Sequence, residues 1–158
     1  MIDFSGKPPI QPILYFTGKT AGYLAWLFFF LTFMRFGFER YYASFLTGLL
    51  TVIFLSTGCL MLILSSVFLG NSIRIGLPVE ETRLKTGGIY RYTRNPMYVG
   101  FHMVTLSAMI YSLNPWIILP GFYSFYVYHL IILGEEKFLE KRFGEKYILY
   151  RQTVRRYI

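Results

Sequence analysis

Four apolar runs, separated by polar connections, set the pattern of the chain. The first extends over roughly Thr20 to Phe38 and is densest at Leu24–Met34, with Arg35 near its end placed to snorkel to an interface. The second, Phe45 to Leu69, carries no charge. The third is Met97 to Leu113 and the fourth Pro115 to Gly134. A membrane span needs about 20 mostly apolar residues, and each run is close to that. Open β structure cannot cross a bilayer and the runs are too long for barrel strands, so the pattern predicts helices. Asn114-Pro115 reads as a tight turn that makes a hairpin of the last two. Beyond Gly134, Phe138, Leu139, Arg142, Phe143, Tyr147 and Tyr150 predict an amphipathic helix broken near Gly144.

The expected fold is all-α: a polytopic membrane protein with about four transmembrane helices and a cytoplasmic amphipathic C-terminal helix. Residues 1–158 are expected to form a single domain. Within it, 1–83 hold two spans and a loop, and 84–158 hold a second loop, the hairpin and the tail. No internal repeat or low-complexity segment interrupts this plan.

Composition agrees. Of 158 residues 54% are hydrophobic and 15% charged, with a mean hydropathy of +0.45. Soluble domains carry about 25% charged residues. Aromatics, at 20%, fit an interfacial belt, to which Trp26, Trp116, Tyr41 and Tyr42 are assigned. The net charge of +8 would suit nucleic acid, but its placement argues against that partner. Nearly all 16 Lys and Arg fall in the N-terminal segment, the loop before the third span and the tail, on one side of a four-span topology. The cytoplasmic bias of basic residues then predicts cytoplasmic N- and C-termini facing anionic lipid. On the other side, Arg35, Glu39 and Arg40 read as a solvated interfacial cluster. The segment Met1 to Pro12 lacks the order of a cleaved signal peptide. A lone cysteine, Cys59, excludes an internal disulfide, and with only two histidines beside it the chain falls short of a His/Cys zinc cluster, so no metal is expected. Cys59 reads as a packing residue.

Two segments hold the unusual chemistry, and the hairpin between them must bring them to the same face. The first is Leu84-Lys85-Thr86-Gly87-Gly88-Ile89-Tyr90-Arg91-Tyr92-Thr93-Arg94-Asn95-Pro96-Met97-Tyr98-Val99-Gly100. Gly87 and Gly88 permit tight turns and close approach of a ligand. Pro96 can start a helix whose free N–H groups face an anionic group. Composition alone allows a plainer reading, a basic aromatic anchor at the interface. The second begins at Glu135-Glu136. Adjacent carboxylates ending an apolar helix are costly unless solvated or partnered, and the helix dipole disfavours them there unless the helix continues. The plain alternative is a helix lying on anionic lipid. His129, seven residues before Glu136, shares its helix face and is a functional candidate. His102, four residues after Tyr98, reads as packing.

The run Gly-Ile-Tyr-Arg-Tyr-Thr-Arg-Asn-Pro-Met-Tyr-Val-Gly (88–100) and the pattern Glu-Glu-x-x-Leu-x-x-x-Phe-Gly-x-x-Tyr-x-x-Tyr-x-x-x-Val (Glu135 to Val154) resemble the signature of the isoprenylcysteine carboxyl methyltransferase and phospholipid methyltransferase superfamily. The resemblance covers about half the chain, from Leu84 onwards. It implies methyl transfer from S-adenosylmethionine (SAM), with the loop and the acidic pair closing round the cofactor and an apolar acceptor arriving from the lipid. By resemblance, Tyr90, Asn95, Pro96, Met97 and Tyr98 match cofactor-binding positions. Thr82 to Lys85 (including Arg83, Leu84 and Lys85) lead into them, Glu135 matches the acidic residue that holds SAM, and Glu136 is its neighbour. His129 joins them as a cofactor-site candidate. Arg91 or Arg94 offers a guanidinium fork to the SAM carboxylate, and tyrosine faces suit its sulfonium or adenine. Arg94 and Asn95 are the candidate catalytic residues. In-line displacement asks mainly for alignment and desolvation, with neither metal nor covalent intermediate.

This chain departs from the prenylcysteine enzymes twice: Asn95 stands where they usually have His, and Ile131 where they place an Arg four residues before the acidic pair. The resemblance therefore carries the cofactor site further than it carries a prenylcysteine carboxylate. The expected acceptor is lipophilic, isoprenylcysteine-like, phospholipid or another apolar O, S or N nucleophile, so the partners are a lipophilic or lipidated substrate and membrane lipids. Two other readings stand beside this one. An NADPH-dependent reductase of the sterol type has a similar C-terminal region but is usually much longer. A non-catalytic membrane scaffold explains the charges and aromatics but not Glu135-Glu136.

Overall fold

Prolines open three of the helices. Pro12, Pro96 and Pro115 each occupy a first helical position, where the missing N–H costs nothing and the fixed φ is already helical. The structure is a computed structural model that describes residues 7–37, 40–70 and 84–157. Among these residues it contains five α-helices and no strand: α1 (Pro12–Phe33), α2 (Phe45–Leu69), α3 (Pro96–Ser112), α4 (Pro115–Phe143) and α5 (Glu145–Thr153), with a short 3₁₀ turn at Gly88–Arg91 before α3.

The boundaries follow local chemistry. α2 has the limits expected from its apolar run, because Ser44 caps it: the Ser44 hydroxyl accepts from Thr47 N–H at 3.1 Å, and Thr47 Oγ1 accepts in return from Ser44 N–H. α1 starts at Pro12, earlier than the expected Thr20, and Arg35 in a left-handed conformation (φ 60°) follows its end. α4 does not stop at Gly134. Glu, Lys, Leu and Arg are all good helix formers, and the helix runs through the acidic pair until Gly144 (φ 54°) turns the chain. Glu135 and Glu136 therefore lie inside a helix rather than at its unfavourable end.

α2 and α4 are long and apolar enough to cross a membrane. At about 1.5 Å per residue α2 measures about 37 Å, against a hydrocarbon core of about 30 Å. Phe45, Leu46, Val52, Ile63 and Val67 are exposed along its outer side. Cys59 is exposed there too, so it is not the core packing residue that its apolar surroundings suggested.

Two helix pairs make the core, α1 on α4 and α2 on α3, with α3 also touching α1 and α4. Both pairs rely on small residues, as expected where dispersion rather than water drives association. A Cβ on Gly58 of α2 would lie 3.0 Å from the Gly100 carbonyl oxygen of α3, and one on Gly100 would lie 3.0 Å from the Gly58 oxygen. On α1, a Cβ on Gly18 would overlap Val127 of α4. Tyr15 packs with Val127, Tyr128 and Ile131, and farther along Ala25 packs with Ile117, so α1 and α4 run antiparallel. Trp26 ties α1 to α3 by donating from Nε1 to Thr105 Oγ1 at 2.9 Å.

The interfacial cluster predicted around Arg40 is corrected in one respect. Arg40 is half-buried rather than solvated: its Nε–H donates to the Tyr111 carbonyl at 2.9 Å and its guanidinium lies 4.1 Å from the Tyr111 ring centroid, near the C-terminal end of α3. Glu39 lies outside the described residues.

Candidate functional site

The loop before α3 and the tail after α5 are laid against each other by backbone pairing. Arg94 N–H donates to the Arg155 carbonyl at 2.9 Å. The Arg156 carbonyl accepts from Thr93 Oγ1 and from Asn95 Nδ2, both at 3.1 Å. Tyr150 on α5 donates its hydroxyl proton to the Tyr90 carbonyl at 2.6 Å. Burial pushes the Tyr150 phenol up to about 12, so it stays a donor at any ordinary pH. The positive φ of Gly88 (59°) seats the 3₁₀ turn against Phe68 at the end of α2, where a Cβ would overlap the ring.

Glu136 is the knot of this arrangement. Its side chain is 6% exposed, and both oxygens are taken by arginines. Arg94 donates to Oε1 from Nη2 at 2.8 Å and Nε at 3.2 Å. Arg156 donates to Oε2 from Nη2 at 2.8 Å and Nε at 3.1 Å. Asn95 Nδ2 adds a longer contact to Oε1 at 3.4 Å. Arg94 also donates from Nη1 to the Val154 and Arg151 carbonyls. One carboxylate thus joins α4, the loop and the tail through two fork-shaped cations. The ion pair also keeps the Arg156 guanidinium above its usual pKa, chiefly by hydrogen bonding to Glu136.

Successive helical residues point about 100° apart, so Glu135 faces a different neighbourhood. Tyr98 on α3 donates its hydroxyl to Glu135 Oε1 at 2.6 Å. No ion pair to Glu135 forms among the described residues. The Tyr98 ring sits 5.7 Å from Tyr128 and 6.3 Å from Phe101.

The predicted site residues divide accordingly. Arg94, Asn95 and Glu136 meet in the knot, and Tyr98 meets Glu135. Tyr90 is buried beneath the tail, and burial raises its phenol well above the ordinary range. Pro96 is buried and Met97 half-buried at the start of α3. Leu84 is half-buried, while Lys85 and Arg91 are exposed and make no contact with either glutamate. Arg83 lies outside the described residues. His129 Nδ1 shares a 2.7 Å hydrogen bond with the Tyr157 hydroxyl, and the two rings stack at 6.1 Å, so this side chain serves the tail. His102 packs edge-on to Phe125 at 4.9 Å. Among the described residues no cluster of His, Cys, Asp and Glu is suited to hold a metal ion.

Sequence reasoning missed Arg156 and Tyr157. Tyr150 carried a signal, since it belongs to the Tyr-x-x-Tyr part of the second pattern. Nothing distinguishes Arg156 from Arg151 or Arg155 before the tail is folded.

Similarity to known proteins covers the helices and the loop that carry Arg94, Tyr98, Glu135 and Glu136. The family model for phospholipid methyltransferases matches residues 49–146, which includes most of α2, the loop, α3 and all of α4. A protein-S-isoprenylcysteine O-methyltransferase from Dictyostelium discoideum is 35% identical over 80 residues, 48% of this chain and 34% of that protein. Another from Schizosaccharomyces pombe is 35% identical over 83 residues, 48% of this chain and 32% of that protein. The match thus spans about a third of the length of these relatives. No solved structure matches. With more than half its length matched, and with both motifs brought together by the α3–α4 hairpin, the chain belongs to the phospholipid methyltransferase family.

Proposed function

We propose that this protein transfers the methyl group of SAM to a lipophilic acceptor at the edge of a bilayer. The observation that carries the reading is Glu135: a carboxylate inside a helix, held by one phenol and, among the described residues, paired with no cation, next to a glutamate held by two. A carboxylate kept apart from the abundant arginines around it is suited to a cationic or hydroxyl-bearing ligand.

The residues fit the cofactor. Glu135 would take its ammonium or ribose hydroxyls, and the rings of Tyr90 and Tyr98 offer faces to an adenine or a sulfonium. Of the two arginines considered for its carboxylate, Arg94 is committed to Glu136, which leaves the exposed Arg91. When bound, SAM would supply an electrophilic methyl carbon to a lone pair of the acceptor, its sulfur leaving with the electrons of the carbon–sulfur bond. The Arg94–Glu136–Arg156 knot holds the loop in place, and Tyr98 orients Glu135. Asn95, bonded to Arg156 and Glu136, serves as a positioning residue for the loop. Buried side chains round the site keep water from competing for the methyl group.

The same reading makes the chain one domain whose four long helices all cross the membrane. α5 lies on the cytoplasmic surface, where the basic loop and tail meet anionic headgroups. The acceptor reaches the site laterally from the lipid. The names of the relatives support O-methylation of a prenylated cysteine, while Ile131 leaves other apolar acceptors open. Isothermal titration of the purified protein with S-adenosylhomocysteine tests the reading. Saturable binding is expected, reduced at least about tenfold in Glu135→Gln. Folded protein that binds no S-adenosylhomocysteine, or Glu135→Gln that binds it normally, refutes the proposal.

A further inference from the structure

We propose that Arg40 binds the phosphate of a phospholipid at the end of the bundle opposite Glu135. The assignment rests on the proposed membrane crossing of α2 and not on methyl transfer. Arg40 lies outside the family match, residues 49–146. It is also remote from the acidic pair. Tyr98, the partner of Glu135, stands near the start of α3, and Tyr111, the partner of Arg40, stands near its end, about 20 Å farther along the axis.

The guanidinium is held in place by groups that leave its outer donors open. Tyr41 N–H donates to the Ser112 carbonyl at 3.0 Å, which pins the chain before α2 to the end of α3. Arg40 Nε–H donates to the Tyr111 carbonyl at 2.9 Å, and the guanidinium carbon lies 4.1 Å from the Tyr111 ring centroid. That ring is itself wedged edge-on against Phe29 of α1 at 5.2 Å. Nη2 makes a long contact of 3.5 Å to Thr47 Oγ1 in the first turn of α2. A guanidinium has five N–H donors. Here Nε is spent, Nη2 makes only the long contact, and Nη1 has no hydrogen-bond partner among the described residues. No carboxylate pairs with Arg40 among them either. A fork whose rotamer is already fixed and whose outer N–H groups are open matches two oxygens of a phosphate.

Two observations put the fork at the level of lipid headgroups. The contact with Thr47 sets it beside the first turn of α2, and a helix of about 37 Å brings that turn to the boundary of a hydrocarbon core of about 30 Å. Tyr41 and Tyr42, next to Arg40 in the chain, and Trp116, in the first turn of α4, are all exposed at this end of the bundle. Tyrosine and tryptophan favour the headgroup region. From that level Leu46, Leu49 and Ile53 run along one side of α2 as exposed apolar side chains. A phospholipid finds the fork for its phosphate and this track for its acyl chains. A free anion finds only the fork.

The test counts the lipids that the full chain retains in native mass spectrometry. Detergent-solubilised protein is mixed with dioleoyl phosphatidylglycerol or with dioleoylglycerol, which lacks the phosphate. The wild type is expected to hold phosphatidylglycerol at least about tenfold more tightly than dioleoylglycerol. Arg40→Gln should lose one of the retained phosphatidylglycerol molecules and keep those held by the basic loop and tail. Arg40→Lys preserves the charge and should retain them all, which separates loss of the cation from a failure to fold. An unchanged lipid count in Arg40→Gln, or equal retention of the two lipids by the wild type, overturns the assignment. Displacement of the Arg40-dependent lipid by inorganic phosphate at the same concentration also overturns it, in favour of a free anion. S-adenosylhomocysteine titration keeps this claim apart from methyl transfer. Arg40→Gln should bind it as the wild type does, and a matching loss would trace the lipid effect to a disturbed fold and end the assignment. An Arg40-dependent lipid on a protein that binds no S-adenosylhomocysteine would leave the headgroup site standing and the methyl-transfer reading refuted.

Discussion

Glu135 and Glu136, neighbours in one helix, have opposite kinds of partner: Glu135 accepts from the Tyr98 phenol, and Glu136 is gripped by the guanidiniums of Arg94 and Arg156. The first is left able to receive a ligand. The second is spent on holding the fold together, and their substitutions should therefore fail in different ways.

Removing one side of the knot should destabilise the protein. The Arg94 side chain is 7% exposed and Glu136 6%, so Glu136→Ala leaves a buried cation without its counter-charge. The expected loss is about 3 kcal/mol or more, seen as a lower midpoint in thermal or denaturant unfolding in detergent. Arg156 is 34% exposed, and Arg156→Ala should cost less, about 1 kcal/mol.

Tyr98→Phe should lower the unfolding midpoint modestly, because a buried carboxylate loses its hydrogen-bond donor, and should weaken ligand binding as well. It removes the phenol that orients Glu135 while keeping the ring between Phe101 and Tyr128. A hydrogen bond to a charged group contributes about 1.5–3 kcal/mol, so S-adenosylhomocysteine should bind about tenfold more weakly by calorimetry.

Deleting residues 154–158 should weaken S-adenosylhomocysteine binding while helices α1 to α4 remain. The loop then loses the Arg155 and Arg156 carbonyls that accept from Arg94, Thr93 and Asn95. Circular dichroism should show nearly full helix content alongside the lost affinity. Retained affinity would mean that the loop holds its shape without the tail.

Gly58→Leu should disrupt the α2–α3 contact, whereas Gly48→Ala on the same helix should be tolerated. A Cβ on Gly58 meets the Gly100 carbonyl and Val104, and one on Gly48 meets nothing within 4 Å. Overpacking of this kind costs about 1–3 kcal/mol, and the paired unfolding midpoints read the difference.

Tyr150 gives a pH dependence with a definite sign. Its folded-state value, about 12, lies above the ordinary 10, so the folded protein keeps a proton that the unfolded chain releases. The contribution of this group is full below pH 10 and declines as pH rises towards 12. Tyr150→Phe should cost about 1 kcal/mol at pH 7 through the lost bond to Tyr90. The gap between variant and wild type should narrow between pH 10 and 12, as followed by chemical unfolding across that range.

Much of the helix plan was legible because the relevant signals are local. The limits of α2 follow from an uninterrupted apolar run and a Ser-Thr cap, and the starts of α3 and α4 from their prolines. The continuation of α4 past Gly134 was less so, because apolar density stops there while helix propensity does not. Tyr98 and Glu135 were legible from motif resemblance and from the hairpin that must fold them together. Arg156 was not. It is one basic residue among many, and only the return of the tail to Glu136 gives it a role.

The glycine contacts also decide which way lipid can travel. Where Gly58 faces Gly100, the main chains of two helices touch, and no prenyl or acyl chain can slip between them. The same holds where Gly18 lets Val127 close the gap on the opposite flank. Both contacts are walls, and the hydrocarbon tail of the proposed acceptor would enter by some other face of the bundle.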